Sequence, residues 1–247
     1  MTKLRAVTFD FWHTLVAEHP GTMRRMQLDR WGRLLARAGQ PRDRAEIESA
    51  FAKNWQRFEE HWWTNTGQYT PTDSVSFLTQ ELSVDATDEL RTDLIDSFRV
   101  VGETADLEVA PGLETCLRAL RAEKVPLGIV CDVGLTPSPT LRARLERLGV
   151  LDAFDAWSFS DETGLFKPAP EAFLAALDPL GVDPHDAAHI GDNERTDIAG
   201  ADALGMVSVR YQGLLRITGL LDGLRFDGIA DHVVDDIATL PEVLRIV

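Results

Sequence analysis

From Val109 onward, short apolar segments alternate with segments that have the periodicity of helices. Such alternation is typical of a parallel β-sheet that helices cover on both faces, because each strand returns through a helix. We therefore expect an α/β protein with a doubly wound, Rossmann-like parallel sheet at its core. The predicted strands are Val125–Cys131, Phe154–Ser160, Ala187–Asp192, Met206–Arg210 and Ile229–Val234.

A long helical block interrupts the chain before this alternation begins. From Val16 to Asp106, apolar residues recur every three or four positions, as in Ile47, Phe51 and Trp55. The short apolar strand that ends at Asp10 stands before the block, and we assign it to the sheet. We predict a core domain formed by residues 1–15 and 107–247, with residues 16–106 inserted as an all-α cap domain over the strand ends.

The composition argues against several classes of partner. The 247 residues contain 40 acidic side chains against 25 lysines and arginines, which gives a formal net charge of −15. This balance disfavours nucleic acid and anionic membranes as partners. The two cysteines, Cys116 and Cys131, do not indicate a disulfide framework. Because the sequence shows no signal-peptide pattern and no apolar run of membrane-spanning length, we expect a cytoplasmic protein.

Three separate stretches carry side chains suited to phosphoryl chemistry. Asp10 ends the first predicted strand, Lys167 precedes a proline, and Asp192 ends a later strand and is followed by Asp197. Because α/β proteins place their chemistry at the C-terminal ends of parallel strands, we expect these residues to converge. An acidic nucleophile, a lysine and a pair of acids together predict a site for a metal ion and a phosphoryl group.

In order and spacing, these residues resemble the motifs of the haloacid dehalogenase superfamily over nearly the whole chain. The third and fourth motifs match closely, whereas the first and second each depart from the usual pattern. In chain order the four motifs correspond to Asp10-Phe11-Trp12-His13-Thr14, to Cys131, to Lys167, and to Gly191-Asp192 with Asp197 five residues later.

This resemblance implies a magnesium-dependent hydrolase. Asp10 would attack phosphorus and form an aspartyl-phosphate, which water then hydrolyses. Lys167 would neutralise Asp10 and hold the phosphoryl oxygens, and Thr14 would form a hydrogen bond near Asp10. The implied Mg²⁺ ligands are Asp10, the main-chain carbonyl of Trp12, Asp192 and Asp197, the last directly or through water.

Two positions depart from the family pattern. Trp12 stands where phosphatases of this family carry the carboxylate that protonates the leaving group, and an indole cannot replace it. Because general acid catalysis contributes about 10²–10⁴-fold, we expect slow turnover of ordinary sugar phosphates and better turnover of acyl or aryl phosphates. Cys131 stands where a serine or threonine is usual. It is a catalytic candidate, although a thiol is a weaker donor than a hydroxyl.

Four further residues are candidates for substrate binding. His13 is titratable and adjacent to Trp12, but we expect its side chain to point away from the metal. Asp132 directly follows the second motif. Arg24 and Arg25 follow the first motif, where caps of this kind often touch substrate. They are suited to gripping a carboxylate or phosphate, and a solvated helix face is the alternative interpretation.

Other functions stay open at this point. A dehalogenase resembles the chain in its aromatic residue at the Trp12 position, but its fourth motif lacks the paired acids. A phosphonatase-like hydrolase would need a lysine from the cap, where only Lys53 is found, and we favour a solvated Lys53. A catalytically weak member that acts by binding is the non-enzyme alternative. The expected partner is a small phosphorylated molecule, and a homodimer would be unsurprising.

Overall fold

A computed structural model of the protein describes residues 4–64, 68–224, 228 and 230–246. The chain divides into two compact units, each held together by its own contacts. One consists of Met1–Pro20, Leu107–Asp132 and Leu145–Val247, and the other consists of Gly21–Asp106 and Val133–Arg144. The second unit thus contains most of the predicted helical insertion together with residues 133–144. The assignment of residues 16–106 as a cap stays a prediction.

The first unit contains a sheet of six parallel strands in the order β5-β4-β1-β6-β7-β8. A separate antiparallel pair, β2 with β3, belongs to the same unit. The predicted doubly wound α/β sheet is confirmed. The strands are β1 (Ala6–Phe9), β2 (Val16–Ala17), β3 (Glu108–Val109), β4 (Leu127–Cys131), β5 (Ala156–Phe159), β6 (Ala187–Gly191), β7 (Val207–Tyr211) and β8 (His232–Val234).

Helices connect these strands and build the second unit. Pro at the first helical position begins two of them, which suits a residue that lacks a donor there. The helices are α1 (Thr22–Arg37), α2 (Arg44–Thr64), α3 (Pro71–Glu81), α4 (Asp88–Thr104), α5 (Leu113–Ala122), α6 (Ser138–Arg147), α7 (Ser160–Thr163), α8 (Pro170–Leu180), α9 (Ala199–Ala203), α10 (Gly213–Ile217) and α11 (Leu240–Val243).

Strand β1 occupies the middle of the sheet between β4 and β6, and its four residues are fully buried. Phe9 pairs with Ile129 on one side and with Ile190 on the other. Because all three strands run in the same direction, the residues that follow them lie at one edge of the sheet. Asp10, Cys131 and Asp192 are therefore brought to neighbouring strand ends.

One face of the sheet is packed against α8 and α9. Phe173 is fully buried in this layer. Its ring lies so close to Gly200 that a Cβ at that position would come within 2.3 Å of it. The absence of a side chain at Gly200 therefore allows α9 to approach α8. The core of this layer consists of Ala6, Val130, Ala172, Phe173, Ala176, Leu177, Val182, Ala187, Ala201 and Met206.

The helical unit has its own core around Trp31, whose indole Nε1 donates to Ser97 Oγ at 3.2 Å. The predicted apolar series on α2 is only partly correct. Phe51 lies in the core, but Trp55 is 53% exposed and Asn54 is buried in its place. Asn54 contacts Ser74 Oγ at 2.9 Å and the hydroxyl of Tyr69 at 2.8 Å. This network satisfies the polar groups of Asn54, so the inner face of α2 turns polar at that point.

Within the described ranges, none of the helices has the length and apolar character that a membrane span requires.

Candidate active site

The side chain of Lys167 lies between two buried carboxylates at the edge of the sheet. Its Nζ donates to Asp10 Oδ1 and to Asp197 Oδ1, each at 2.6 Å. The side chains of Lys167, Asp10 and Asp197 are 3%, 8% and 1% exposed, respectively. Burial alone would lower the pKa of Lys167, but the two carboxylates raise it well above its ordinary value. Lys167 is thus a buried ammonium that bridges two acids.

The acids around this ammonium differ in charge state. Burial, assisted by Asp197, raises the pKa of Asp10 to about 7 against the effect of Lys167. Burial also raises the pKa of Asp192 well above its ordinary value, and the charges of Asp197 and Asp10 add to this. At Asp197 burial acts in the same direction, but Lys167 and His189 outweigh it and lower the pKa. Asp197 is therefore the firmly ionised acid, whereas Asp10 and Asp192 carry charge at a cost.

Asp10, Asp192 and Asp197 together fit a small divalent cation. One carboxylate oxygen from each lies within 4.8 Å of the others. If all three ionise, Lys167 balances only one of the three charges. Hard carboxylate oxygens are the ligands that Mg²⁺ prefers, and a cation would offset the surplus negative charge. The part of the Trp12 main-chain carbonyl in such a site stays a prediction.

Gly191 makes room for Asp197. A Cβ on Gly191 would lie 2.2 Å from Asp197 Cγ, which is far inside a normal contact. Asp197 Oδ2 accepts the backbone N–H of Asn193 at 3.0 Å, which fixes the carboxylate above the end of β6. The glycine of the fourth motif is therefore required by the position of the second acid.

The turn after β1 differs in one respect from the sequence prediction. The Thr14 hydroxyl is buried and has no hydrogen-bond partner among the described residues, so the expected bond near Asp10 is not formed. Backbone bonds close this turn instead, from the N–H groups of Leu15 and Val16 to the carbonyl of Phe11. The prediction was wrong in this detail because a tight turn can be satisfied by its own main chain.

Trp12 and His13 lie in this same turn. Trp12 is partly buried, and its ring packs edge-on against Phe11 with centroids 5.2 Å apart. His13 has a left-handed φ of 57°, and burial lowers the pKa of its imidazole. Its Nδ1 has no hydrogen-bond partner within the described part of the chain. A substrate-binding role for His13 stays a prediction.

Two residues at the end of β4 lie near Lys167. Burial, reinforced by the charge of Asp10, raises the pKa of the Cys131 thiol well above its ordinary value. Cys131 is therefore a protonated thiol, which can act only as a weak hydrogen-bond donor. Asp132 Oδ1 accepts the backbone N–H of Lys167 at 3.2 Å. The structure thus shows Asp132 anchoring the main chain of the lysine, a contact that the sequence did not indicate.

The contacts that the structure shows for Arg24 and Arg25, the arginines predicted to bind substrate, are with residues of the helical unit. Arg24 is exposed and lies 3.7 Å from Glu48, and Arg25 donates to the hydroxyl of Thr22 at 3.0 Å. Lys53, the cap lysine that a phosphonatase-like hydrolase would need, is exposed and pairs with Glu81. Binding of substrate by Arg24 and Arg25 stays a prediction.

Two polar residues of the central strands were not predicted. His189, fully buried in β6, has its Nε2 at 3.2 Å from Asp197 Oδ1 and its Nδ1 at 2.9 Å from Thr8 Oγ1 of β1. The signal in the sequence is a histidine and a threonine inside otherwise apolar strands. Such residues need partners when buried, and here Asp197 is the partner of the histidine.

The sequence model of the haloacid dehalogenase-like hydrolase family matches residues 4–205, which include all the residues of this cluster. The chain belongs to the haloacid dehalogenase-like hydrolase family. The earlier resemblance is therefore confirmed.

Known relatives of this haloacid dehalogenase-like hydrolase include phosphatases. A ribulose-1,5-bisphosphate 5-phosphatase of Halopiger xanaduensis is 31% identical over 141 residues, which are 56% of this chain and 58% of that protein. The phosphoglycolate phosphatase of Escherichia coli strain K12 is 28% identical over 216 residues, or 83% of this chain and 80% of that protein. The chain thus spans little more than half the length of the first of these relatives.

The fold is shared with enzymes of another activity. The crystal structure of a 2-haloacid dehalogenase from Pseudomonas syringae pv. Tomato DC3000 matches this haloacid dehalogenase-like hydrolase with a TM-score of 0.70. The two proteins are 23% identical, and the match covers 99% of each chain. At this identity the likeness shows the fold alone.

Proposed function

We propose that the protein is a Mg²⁺-dependent phosphatase that acts on a small phosphorylated compound through an aspartyl-phosphate at Asp10. The observation that carries this proposal is the buried Lys167 ammonium, which lies 2.6 Å from oxygens of both Asp10 and Asp197. This arrangement places a nucleophile, a buried positive charge and a second acid together at one edge of the sheet. The phosphatase relatives support the same reaction.

The charges of the site explain why a cation belongs there. Asp10, Asp192 and Asp197 carry three negative charges when ionised, and Lys167 supplies one positive charge. A phosphate dianion would be repelled by the remaining charge. Bound Mg²⁺ would offset this charge and polarise the phosphoryl group. Asp10, Asp192 and Asp197 would hold it through their oxygens.

The chain's own residues then perform the following roles. Asp10 acts as the nucleophile, because its carboxylate lies at the end of β1 and is held by Lys167. Lys167 lowers the pKa of Asp10 against the effect of burial and stabilises charge on the phosphoryl oxygens. Asp197 orients the ammonium. Asp132 holds the main chain from which the lysine extends.

Trp12 restricts the substrates that turn over well. The indole takes the position of the general acid and has no carboxyl proton to give, so the leaving group must depart largely unprotonated. Since general acid catalysis is worth about 10²–10⁴-fold, substrates with acidic leaving groups, such as aryl or acyl phosphates, are favoured. The small phosphorylated substrates of the relatives would react more slowly.

The alternatives fit the structure less well. A metal-independent dehalogenase would leave Asp10, Asp192 and Asp197 close together without a cation, which is electrostatically unfavourable. An imine-forming phosphonatase would need Lys53, which is exposed and paired with Glu81. A protein that only binds its ligand would not require a buried Lys167 against a nucleophile-grade carboxylate.

A screen of phosphate esters with and without Mg²⁺ tests the proposal, and it should include aryl, acyl and sugar phosphates. We expect phosphate release that stops with EDTA and with Asp10→Asn, whereas Asp152→Asn, at an exposed acid, keeps the activity. Release of halide from a haloacid without metal would overturn the proposal. Absence of phosphate release from every substrate class would favour a binding role.

A further inference from the structure

A continuous series of hydrogen bonds leads from the middle of the sheet to the site. The Thr8 hydroxyl contacts His189 Nδ1 at 2.9 Å, and His189 Nε2 contacts Asp197 Oδ1 at 3.2 Å. The same Asp197 oxygen accepts from Lys167 Nζ, which also donates to Asp10. Thr8, His189, Asp197 and Lys167 are all buried. The series therefore connects two sheet strands to the nucleophile without passing through solvent.

The geometry fixes the protonation of the imidazole. A bare nitrogen lone pair facing the Asp197 carboxylate would be repelled, so the proton lies on Nε2. Nδ1 lies 2.9 Å from the Thr8 hydroxyl, which also donates to the carbonyl of Ala188 at 3.3 Å. Thr8 thereby holds the other side of the ring, so that Nε2 faces the carboxylate.

Three donors define the orientation of the Asp197 carboxylate. Lys167 and His189 share Oδ1, and the backbone N–H of Asn193 binds Oδ2 at 3.0 Å. A carboxylate held by Lys167 and Asn193 alone would have a free lone-pair direction on Oδ1. We propose that His189 is a positioning residue, whose Nε2–H fixes the Asp197 carboxylate and, through it, the ammonium of Lys167 against Asp10. The catalytic part of this inference rests on the proposed phosphatase function.

A purely structural role is a poor explanation for this histidine. His189 is fully buried in the central sheet, with the Phe173 ring edge-on at 4.9 Å. An aliphatic side chain would fill this apolar environment without the cost of burying a polar ring. The polar edge of the imidazole faces Thr8 and Asp197, so its use lies in those two contacts.

Nuclear magnetic resonance of the ring tests the arrangement without any substrate. In the metal-free protein, ¹⁵N signals of His189 should show a proton on Nε2. Thr8→Val keeps the shape of the side chain but removes the hydrogen bond with Nδ1, and it should broaden the Nε2–H signal because the ring is held less firmly. A ring whose Nε2 carries no proton would overturn the inference.

A second spectroscopic test follows the lysine itself. The ¹⁵Nζ–H signal of Lys167 is expected to be visible, since its protons are held by Asp10 and Asp197 away from solvent. His189→Leu should broaden or shift this signal, and His189→Gln should keep it. The amide nitrogen of glutamine reaches the position of Nε2, whereas that of His189→Asn reaches only the position of Nδ1. An unchanged signal in the Leu and Asn variants would contradict the positioning role.

Kinetics on an active aryl phosphate separates positioning from folding. His189→Leu and His189→Asn should lower kcat by about 10–100-fold, with KM changed by less than about threefold. His189→Gln should recover most of kcat. Thr79→Val removes a buried hydroxyl from the helical unit and serves as the control with unchanged kcat. Equal losses for the Gln and Leu variants would overturn the inference. If the wild type is inactive on every phosphate, the proposed function fails and the two spectroscopic tests still decide the inference.

Discussion

Gly191 leaves the space that the Asp197 carboxylate occupies, since a Cβ on the glycine would come within 2.2 Å of Asp197 Cγ. The glycine does not have a positive φ, so its role is steric and not conformational. The relationship explains why the strand that delivers Asp192 ends in a residue without a side chain. The glycine and the second acid of the fourth motif therefore pack directly against each other, and the position of each depends on the other.

We therefore expect Gly191→Ala to displace Asp197 and to weaken its bond with Lys167. Overpacking in a rigid core costs about 1–3 kcal/mol, so the free energy of unfolding should fall by about that amount, and phosphatase activity should fall with it. Denaturant unfolding and steady-state kinetics measure the two effects. Gly32→Ala in α1 is the matched control, because its Cβ would lie 3.9 Å from Ile47 Cδ1 of α2, which is an ordinary contact. If the two variants behave alike, the steric account is wrong.

The second prediction concerns removal of the buried ammonium. Lys167→Met leaves Asp10 and Asp197 facing each other without a positive charge. Breaking a buried pair by removing one partner costs about 3–5 kcal/mol, so we expect strong destabilisation in EDTA at neutral pH. Lys167→Arg should also lose activity, because a planar guanidinium does not replace a compact ammonium between two carboxylates.

The comparison for this prediction is Lys124→Met, which alters an exposed lysine. Surface charges contribute about 0–1 kcal/mol, so chemical unfolding of this variant should resemble that of the wild type. A Lys167→Met protein as stable as Lys124→Met would mean that the bridge between Asp10 and Asp197 does not exist.

The third prediction is the pH dependence of stability in the absence of divalent cations. Burial raises the pKa of Asp10 from 3.8 to about 7, and the pKa of Asp192 is also raised. At pH values between 3.8 and about 7, the folded state keeps the Asp10 proton that the unfolded state has released. The free energy of unfolding should therefore fall as pH rises from about 4 to about 7, by about 4 kcal/mol from Asp10 alone. Asp197 has a lowered pKa and is ionised in both states across this window.

Thermal and denaturant unfolding in EDTA measure this slope. Asp10→Asn should flatten it, and Asp152→Asn should leave it unchanged. Added Mg²⁺ should stabilise the wild type more at pH 7 than at pH 5, because protons compete with the cation for Asp10 and Asp192. Stability that rises with pH over this window in EDTA would contradict the raised pKa values.

The residues at the strand ends could be predicted from the sequence, whereas those inside the strands could not. Asp10 and Asp192 each follow directly on a short apolar strand, and this position alone indicates the sheet edge. Thr8 and His189 lie within β1 and β6, which are buried on both faces, so no alternation of polar and apolar residues shows where their side chains point.

The helical unit illustrates a different limit of sequence analysis. Phe51 and Trp55 fit the same helical stripe, yet only Phe51 is buried, and Asn54 takes the inner position next to it. The periodicity of α2 identifies a helix but cannot foresee that Ser74 and Tyr69 provide hydrogen bonds to an asparagine. A polar residue becomes a core residue only through partners that are distant in sequence.

The last prediction concerns Trp12 and the missing proton donor. In Trp12→Asp, a carboxyl group replaces the indole that packs on Phe11, and it can protonate the leaving oxygen. Poor leaving groups need this proton most, so kcat/KM should rise by about 10²-fold or more for alkyl phosphates and change little for aryl phosphates. Trp12→Asn introduces a side chain of the same size as aspartate but without an acidic proton, and it should raise neither rate. If aryl and alkyl phosphates gain equally, or if the Asn variant gains as much as the Asp variant, then Trp12 limits the enzyme by its size and not by the absence of an acid.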